Sequence, residues 1–460
     1  MDDLISDEVV NFILTGKKLN QDVKTRALEH IVDGVAVMLA GSRTECARKI
    51  AGFVKGKSGP PQSTAIGLGF KAYITDAAMI NGTSGHADDY DDSQLSTAPD
   101  RLYGLMTHPT VPVLAAALAV GEMKGSSGRE VLEAFVAGFE VECKLAETIK
   151  PAHYWKGFHT TATIGAFGAY GVAGTMFGLD EDELKSSLGI TASLTSGIRA
   201  NFGTMTKPLH AGMAASNGVT ACLLGREGFT ANVSALDGRW GFMQITAGGS
   251  DPEMMMGKMG NPYSIVDPGA TFKMYPCGCL GQPSMDTLLE IVVEEDLHEE
   301  DVSEIRLKAG PNILEPLRYT APVDDLQAKF SLQFALASVL LRRRAGLREY
   351  TMEWLMDPTL RKTMEKVKTT HDPEIAAMGV EKMRSVVEVE LTDGRVMRRM
   401  ATDARGTPEK PLKSHELEEK FMECVSFVYD EEKSKEILAM TRRLDKLSDV
   451  SEVTDLLRND

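Results

Sequence analysis

The stretch that decides the fold runs from His159 to Leu179, HTTATIGAFGAYGVAGTMFGL, and no Asp, Glu, Lys or Arg occurs between Lys156 and Asp180. It is long enough to span a bilayer. Its apolar content, however, is mostly Ala and Gly diluted by Thr rather than Leu, Ile and Phe, so transfer into hydrocarbon would gain little free energy. The composition predicts a helix buried inside a protein. Gly165, Gly168 and Gly171 recur every third residue, which lets a neighbouring backbone approach closely, so dense helix packing is expected around this segment.

Outward from that helix, the chain from Ser6 to about Gly260 keeps a helical period, in segments such as Val23 to Ala40, Val111 to Met123, Arg129 to Lys150, Asp180 to Ser193 and Pro208 to Glu227. Ser127-Gly128-Arg129-Glu130 and Asp180-Glu181-Asp182-Glu183 carry the capping and acidic residues that a helix start favours, and Gly178 and Gly228 stand at helix ends. The character changes near Asp267-Pro268. Ser303 to Lys308 and Val386 to Leu391 alternate apolar with polar residues, and Thr392-Asp393-Gly394-Arg395 supplies a turn before Val396-Met397-Arg398. From Lys413 the helical period returns, around Leu417 to Val428 and Glu436 to Leu444. The expected fold is mostly α: a large all-helical domain from residues 1–267 with 401–460, and a smaller α+β lid domain from residues 268–400.

The 460 residues hold 66 Asp and Glu against 50 Lys and Arg, a formal charge of −16. Such an acidic surface disfavours broad contact with nucleic acid or an anionic membrane, so an anionic ligand would need a local cationic pocket. Six scattered cysteines suit a reducing compartment rather than a disulfide framework, and the acidic Met1 to Glu8 start lacks the cationic lead of a targeting peptide. A cytoplasmic protein is expected. Gly56-Lys57-Ser58 ends like a phosphate loop, but Ala51 replaces its first Gly and Pro60-Pro61 would break the helix that must follow, so no nucleotide cofactor is implied.

Chemistry concentrates in a few places. Five of nine histidines, His86, His108, His153, His159 and His210, lie between positions 86 and 210, several beside Gly or Pro where side chains can face a cleft. Asp88, Asp89, Asp91 and Asp92 place four carboxylates in five residues, which repel one another unless solvated, metal-bound or paired with cations. An Asp-Asp-x-x-Asp run in an all-α chain allows a magnesium-dependent, terpenoid-synthase-like reading, although no second metal motif is apparent. An exposed acidic turn and an active-site cluster at a helix end are the other readings. In Thr206-Lys207-Pro208-Leu209-His210, Pro208 suits the first helical position, putting Lys207 at a helix start and His210 in its first turn, a plausible carboxylate site. Lys273 and Tyr275 lie at the domain boundary, where clefts form. Cys277-Gly278-Cys279 lacks the partners of a zinc set.

Together, Gly85-His86-Ala87-Asp88-Asp89-Tyr90-Asp91-Asp92-Ser93, His108-Pro109, Gly157-Phe158-His159, Thr206 to Gly212 and Lys273-Met274-Tyr275-Pro276-Cys277 resemble the signature segments of the MmgE/PrpD family in order and spacing. The resemblance implies a helical domain built from both chain ends, an α+β lid, a homodimer, and catalysis without metal or organic cofactor. Known activities of that family are 2-methylcitrate dehydration, cis-aconitate decarboxylation and iminodisuccinate epimerisation. Its decarboxylase site implies Asp89, Ser93, His108, His159, Lys207 and Lys273 as pocket residues, with Ser93 in place of the more usual Thr. Histidines that relatives carry are replaced here by Gly278 and Gln282.

Residue chemistry and resemblance meet in one scheme. All three reactions build negative charge beside a carboxylate, which fixed Lys and His donors can stabilise. His108, His159, Lys207 and Asp89 are the expected catalytic residues, and Lys273, Ser93, His210, Tyr275 and His86 the expected substrate-binding ones. A lyase of small di- or tricarboxylates follows, with methylcitrate-type dehydration placed ahead of decarboxylation and epimerisation. A non-catalytic carboxylate-binding protein is the competing class.

Overall fold

The computed structural model describes residues 5–16, 18–57, 59–94, 106–379 and 382–459. Met1 to Leu4 of the acidic start and Ser58 of the phosphate-loop fragment lie outside them. The molecule is mostly α, with a smaller α+β part. The charge-free stretch is buried almost throughout, but as two helices, Thr160–Thr163 and Gly165–Phe177, with Ile164 between them. No helix of the described residues is long and apolar enough to cross a membrane.

Small residues set the helix spacing. A Cβ added at Gly168 would lie 2.6 Å from a carboxylate oxygen of Glu142, on the neighbouring helix Gly128–Thr148. The helix Ile74–Gly85 is held as closely to Thr206–Arg226, because a Cβ at Gly212 would come within 2.2 Å of the Met79 carbonyl. The glycines thus bring His86, just past the end of one helix, against Lys207 at the start of the other. The C-terminal helices Ser414–Val425 and Glu431–Arg442 return to pack on the helix Gln21–Ser42 near the chain start.

Local signals explain most boundaries. Ser127 with Glu130 and Asp180 with Glu183 form reciprocal capping boxes, each side chain satisfying the other's free N–H. Gly178 ends its helix in the left-handed conformation at φ 64°. One start differs from expectation: the helix opens at Thr206, so Pro208 is its third residue, where a missing N–H is still tolerated, and Lys207 its second.

The α+β part is built on one four-stranded sheet. Val302–Ala309 runs parallel to the edge strand Val367–His371 and antiparallel to Ser385–Leu391, which pairs in turn with Val396–Ala401. The helices Gln282–Glu294 and Leu332–Arg342 pack against each other, the first also against the sheet's antiparallel strands and the second against its parallel edge strand. The segment from Thr271 to Leu280 joins the two parts and delivers Lys273 to the first.

Candidate active site

Four helix ends converge at one narrow cleft, three of them lining it and the fourth, at His86, behind. His108 precedes the helix Thr110–Lys124, His159 caps Thr160–Thr163, Lys207 opens Thr206–Arg226, and His86 closes Ile74–Gly85. Asp89, His108, His159, Lys207 and Lys273 line the cleft, together with Met106, Tyr154, Phe202, Gly278, Cys279, Leu280, Leu317 and Phe330. One face is therefore cationic and imidazole-rich, and the opposing face apolar. Phe202 from the helical part stacks on Phe330 from the α+β part, ring centroids 5.5 Å apart, so the cleft spans both parts.

The acidic run is neither an exposed turn nor a free carboxylate cluster, because all four aspartates are buried and each faces cations or donors. Asp88 pairs with Lys329 at 3.1 Å and with Arg43 at 3.6 Å. One oxygen of Asp89 accepts from both Lys207 and Lys273 at 2.8 Å, while its other oxygen has no hydrogen-bond partner. Asp91 accepts from His86 Nδ1 at 2.8 Å, and Asp92 holds His30 at 2.9 Å and the Thr110 hydroxyl at 2.7 Å. Lys420 adds a bond to the Tyr90 carbonyl at 2.9 Å. The pairing answers the repulsion inherent in the run. Asp89 itself sits at φ 51°, a left-handed position that lets its carbonyl and its carboxylate both accept from Lys273.

Burial pushes the Asp89 carboxyl up, but the Lys207 and Lys273 ammonium groups outweigh it and hold the group well below the usual carboxylate range. The lysines differ. Burial lowers Lys207, with Asp89 offsetting and Lys273 adding to the drop, whereas around Lys273 the attraction of Asp89 and Asp91 exceeds the burial penalty and its pKa rises. His108 and His159 are both driven well below their ordinary value, first by burial and then by nearby lysines, so both imidazoles are neutral.

Neutral imidazoles have distinguishable nitrogens. His108 Nδ1 lies 2.6 Å from the Asp92 carbonyl oxygen and must donate to it, leaving Nε2 as an acceptor. His159 Nδ1 meets His210 Nδ1 at 3.0 Å, and its Nε2 is buried without a partner. His108 is therefore poised to take a proton and His159 to give or take one. The nearest donor atoms of His86, His108 and His159 lie within 4.8 Å of one another. A metal ion there would meet the two ammonium groups, so the donor set fits an organic anion better than a cation.

The other residues expected at the site stand apart from the cleft wall. Ser93 lies behind His108, its hydroxyl 3.2 Å from Nδ1. His86 lies behind Lys207, with Nε2 2.8 Å from Nζ. His210 backs His159. Tyr275 turns away, its hydroxyl bonded to Asp286 and Arg405. Gln282 braces the segment from Thr271 to Leu280, accepting from the Met274 N–H and donating to the Tyr275 carbonyl at 3.0 Å each. At Gly278, which lines the cleft, a side chain would displace Leu317, since an added Cβ would lie 2.8 Å from its methyl group. The sequence reading missed Phe202, Phe330 and Leu317, whose apolar character gave no signal, and named Asp91 only as a member of the acidic run.

Comparison with known proteins identifies the family. A family model of the MmgE/PrpD N-terminal domain matches residues 11–255, and one of the MmgE/PrpD C-terminal domain matches residues 275–446. The cis-aconitate decarboxylases of Mus musculus and Homo sapiens are each 26% identical over 451 residues, covering 96% of this chain and 90% and 91% of theirs. The cis-aconitate decarboxylase of Aspergillus terreus (strain NIH 2624 / FGSC A1156) is 26% identical over 463 residues, covering 95% of this chain and 92% of its own. The chain belongs to the MmgE/PrpD family.

Proposed function

We propose that this lyase removes CO₂ from a small unsaturated tricarboxylate of the cis-aconitate type. The observation that carries the reading is the pair of buried ammonium groups, Lys207 and Lys273, held on Asp89 and facing a wall of Phe202, Leu317 and Phe330. Lysines that clamp the retained carboxylates stabilise the charge that grows beside them. An apolar wall favours the departure of the third carboxylate as neutral CO₂, since a charged group gains nothing there. The C–C bond to the leaving carboxylate breaks, its electron pair forms a new alkene, and the former alkene pair takes a proton. With His210 donating to Nδ1, His159 carries its proton on Nε2 and passes it to the carbon bearing that pair, and the negative charge left on the ring is met by the Lys207 ammonium nearby.

The named relatives support this order of preference over the methylcitrate-type dehydration that the sequence put first. Dehydration keeps one argument: the acceptor Nε2 of His108 is suited to abstract a proton. Incubation with cis-aconitate, 2-methylcitrate and citrate, with products followed by NMR and CO₂ release, separates the two. CO₂ with a single unsaturated dicarboxylate is the expected result. Loss of water from methylcitrate without CO₂ from any substrate would overturn the proposal.

A further inference from the structure

We propose that Asp91 and His86 form a positioning pair that presents Lys207 to the substrate, although neither residue lines the cleft. The inference rests on the reading above that Lys207 acts on a carboxylate. Asp91 lies with its two oxygens 2.8 and 3.0 Å from His86 Nδ1, and His86 Nε2 lies 2.8 Å from Lys207 Nζ. An ammonium group has donors only, so Nε2 must accept, and the ring proton is then fixed on Nδ1, where Asp91 receives it. No other neutral tautomer satisfies both contacts.

The consequence falls on Lys207. One of its N–H groups goes to Asp89 and one to His86, both at 2.8 Å, which leaves the third for the cleft between the rings of Phe202 and Phe330, each 5.5 Å from Nζ. The His86 ring also packs against His159 and His108, with centroids 5.6 and 4.6 Å apart, so its orientation bears on all three groups. The charged and titratable groups facing Lys207 are Asp89 and His86 in contact, Lys273 and Asp91 behind them, and His108, His159, His210 and Cys279 alongside. Losing the Asp91 charge, or the Nε2 acceptor, weakens what holds Lys207 protonated and aimed.

Two variants test the pair. His86→Phe keeps an aromatic ring against His108 and His159 but removes both hydrogen bonds, and Asp91→Asn keeps the shape but removes the charge. The Lys207 titration is read by NMR of protein carrying ¹³Cε-lysine, with its signal assigned by its loss in Lys207→Met. The expected result is a midpoint lower by about one unit in both variants. With cis-aconitate, kcat should fall by about 10- to 100-fold, as for residues that act through another group, with KM little changed and the basic limb of the profile moved to lower pH. A purely structural role would leave that limb in place. If His86→Phe fails to fold, Asp91→Asn decides. An unmoved Lys207 midpoint overturns the proposal, whether or not any substrate turns over. Absence of turnover in wild type, with a shifted midpoint, would instead refute the decarboxylase reading and leave the pair standing.

Discussion

Asp89→Asn isolates the charge that organises the cleft. At φ 51° asparagine is among the few residues that fit without strain, and it matches aspartate in shape, so backbone and volume are preserved. What disappears is the negative charge lying 2.8 Å from both lysines. Coulomb's law at an effective dielectric of about 20 gives roughly 6 kcal/mol of gross attraction for each pair. Desolvation of the ions offsets most of this, and removing one partner of a buried pair costs about 3–5 kcal/mol in practice. Lys207, already lowered by burial, can release its proton in the variant, so the loss should sit near the lower end, about 3 kcal/mol at pH 7. A lysine depressed in the folded state binds fewer protons than the unfolded chain, so this penalty must shrink as pH rises towards the ordinary lysine value. Urea unfolding at pH 7 and pH 9.5 measures both quantities. In the same variant kcat should drop by about 100- to 1,000-fold, as when a preorganised electrostatic contact is lost, without a rise in KM. Unchanged stability at pH 7, or a penalty that grows with pH, would show that Asp89 does not hold the two lysines charged.

Three further outcomes follow from the geometry. Tyr275→Phe should retain kcat with the preferred substrate, because its hydroxyl serves Asp286 and Arg405 and does not face the cleft, and should lose about 1–2 kcal/mol in denaturant unfolding. Burial, only partly offset by Lys144 and by the N–H groups of Gly260 and Ser264, raises Glu140 to about 7, so its contribution is complete below the ordinary glutamate value and fades as pH rises through about 7. Wild type should therefore lose up to about 3 kcal/mol relative to Glu140→Gln between pH 5 and pH 8; parallel stability curves would contradict this. Gly212→Ala should yield little folded protein, since its Cβ would lie 2.2 Å from the Met79 carbonyl and neither helix can yield without moving His86 from Lys207; a soluble, fully active variant would show the packing to be looser.

The parts of the fold that were legible in the sequence are those set by local chemistry. Capping boxes at Ser127 and Asp180, the glycine after Phe177 and the turn through Gly394 each act over a few residues, and the structure has helices and strands beside them as expected. The edge strand Val367–His371 was not legible, because only Val367 in it is buried and no apolar alternation marks it. Likewise, the need for counter-charges at Asp88 to Asp92 could be read from their repulsion, but their sources could not. Lys329, which pairs with Asp88, lies more than two hundred residues away and looks like a solvated lysine until the fold buries it. His108, His159, Lys207 and Lys273 were recognisable from motif and context. Tyr275 shared that context yet points elsewhere, because the backbone bends through residues 274–277 and the period-two alternation that would put it on the same side as Lys273 is absent.

In the proposed function, Lys207, Lys273, His108 and His159 hold an organic acid between them. A crystal structure with an unreactive tricarboxylate tests it most directly. Carboxylate oxygens are expected at about 2.7–3.1 Å from Nζ of both Lys207 and Lys273, with the ligand chain against Phe202 and Phe330. A ligand seated instead in the larger cavity beside Arg343, Arg344 and Arg405, with the lysine cleft unchanged, would contradict it.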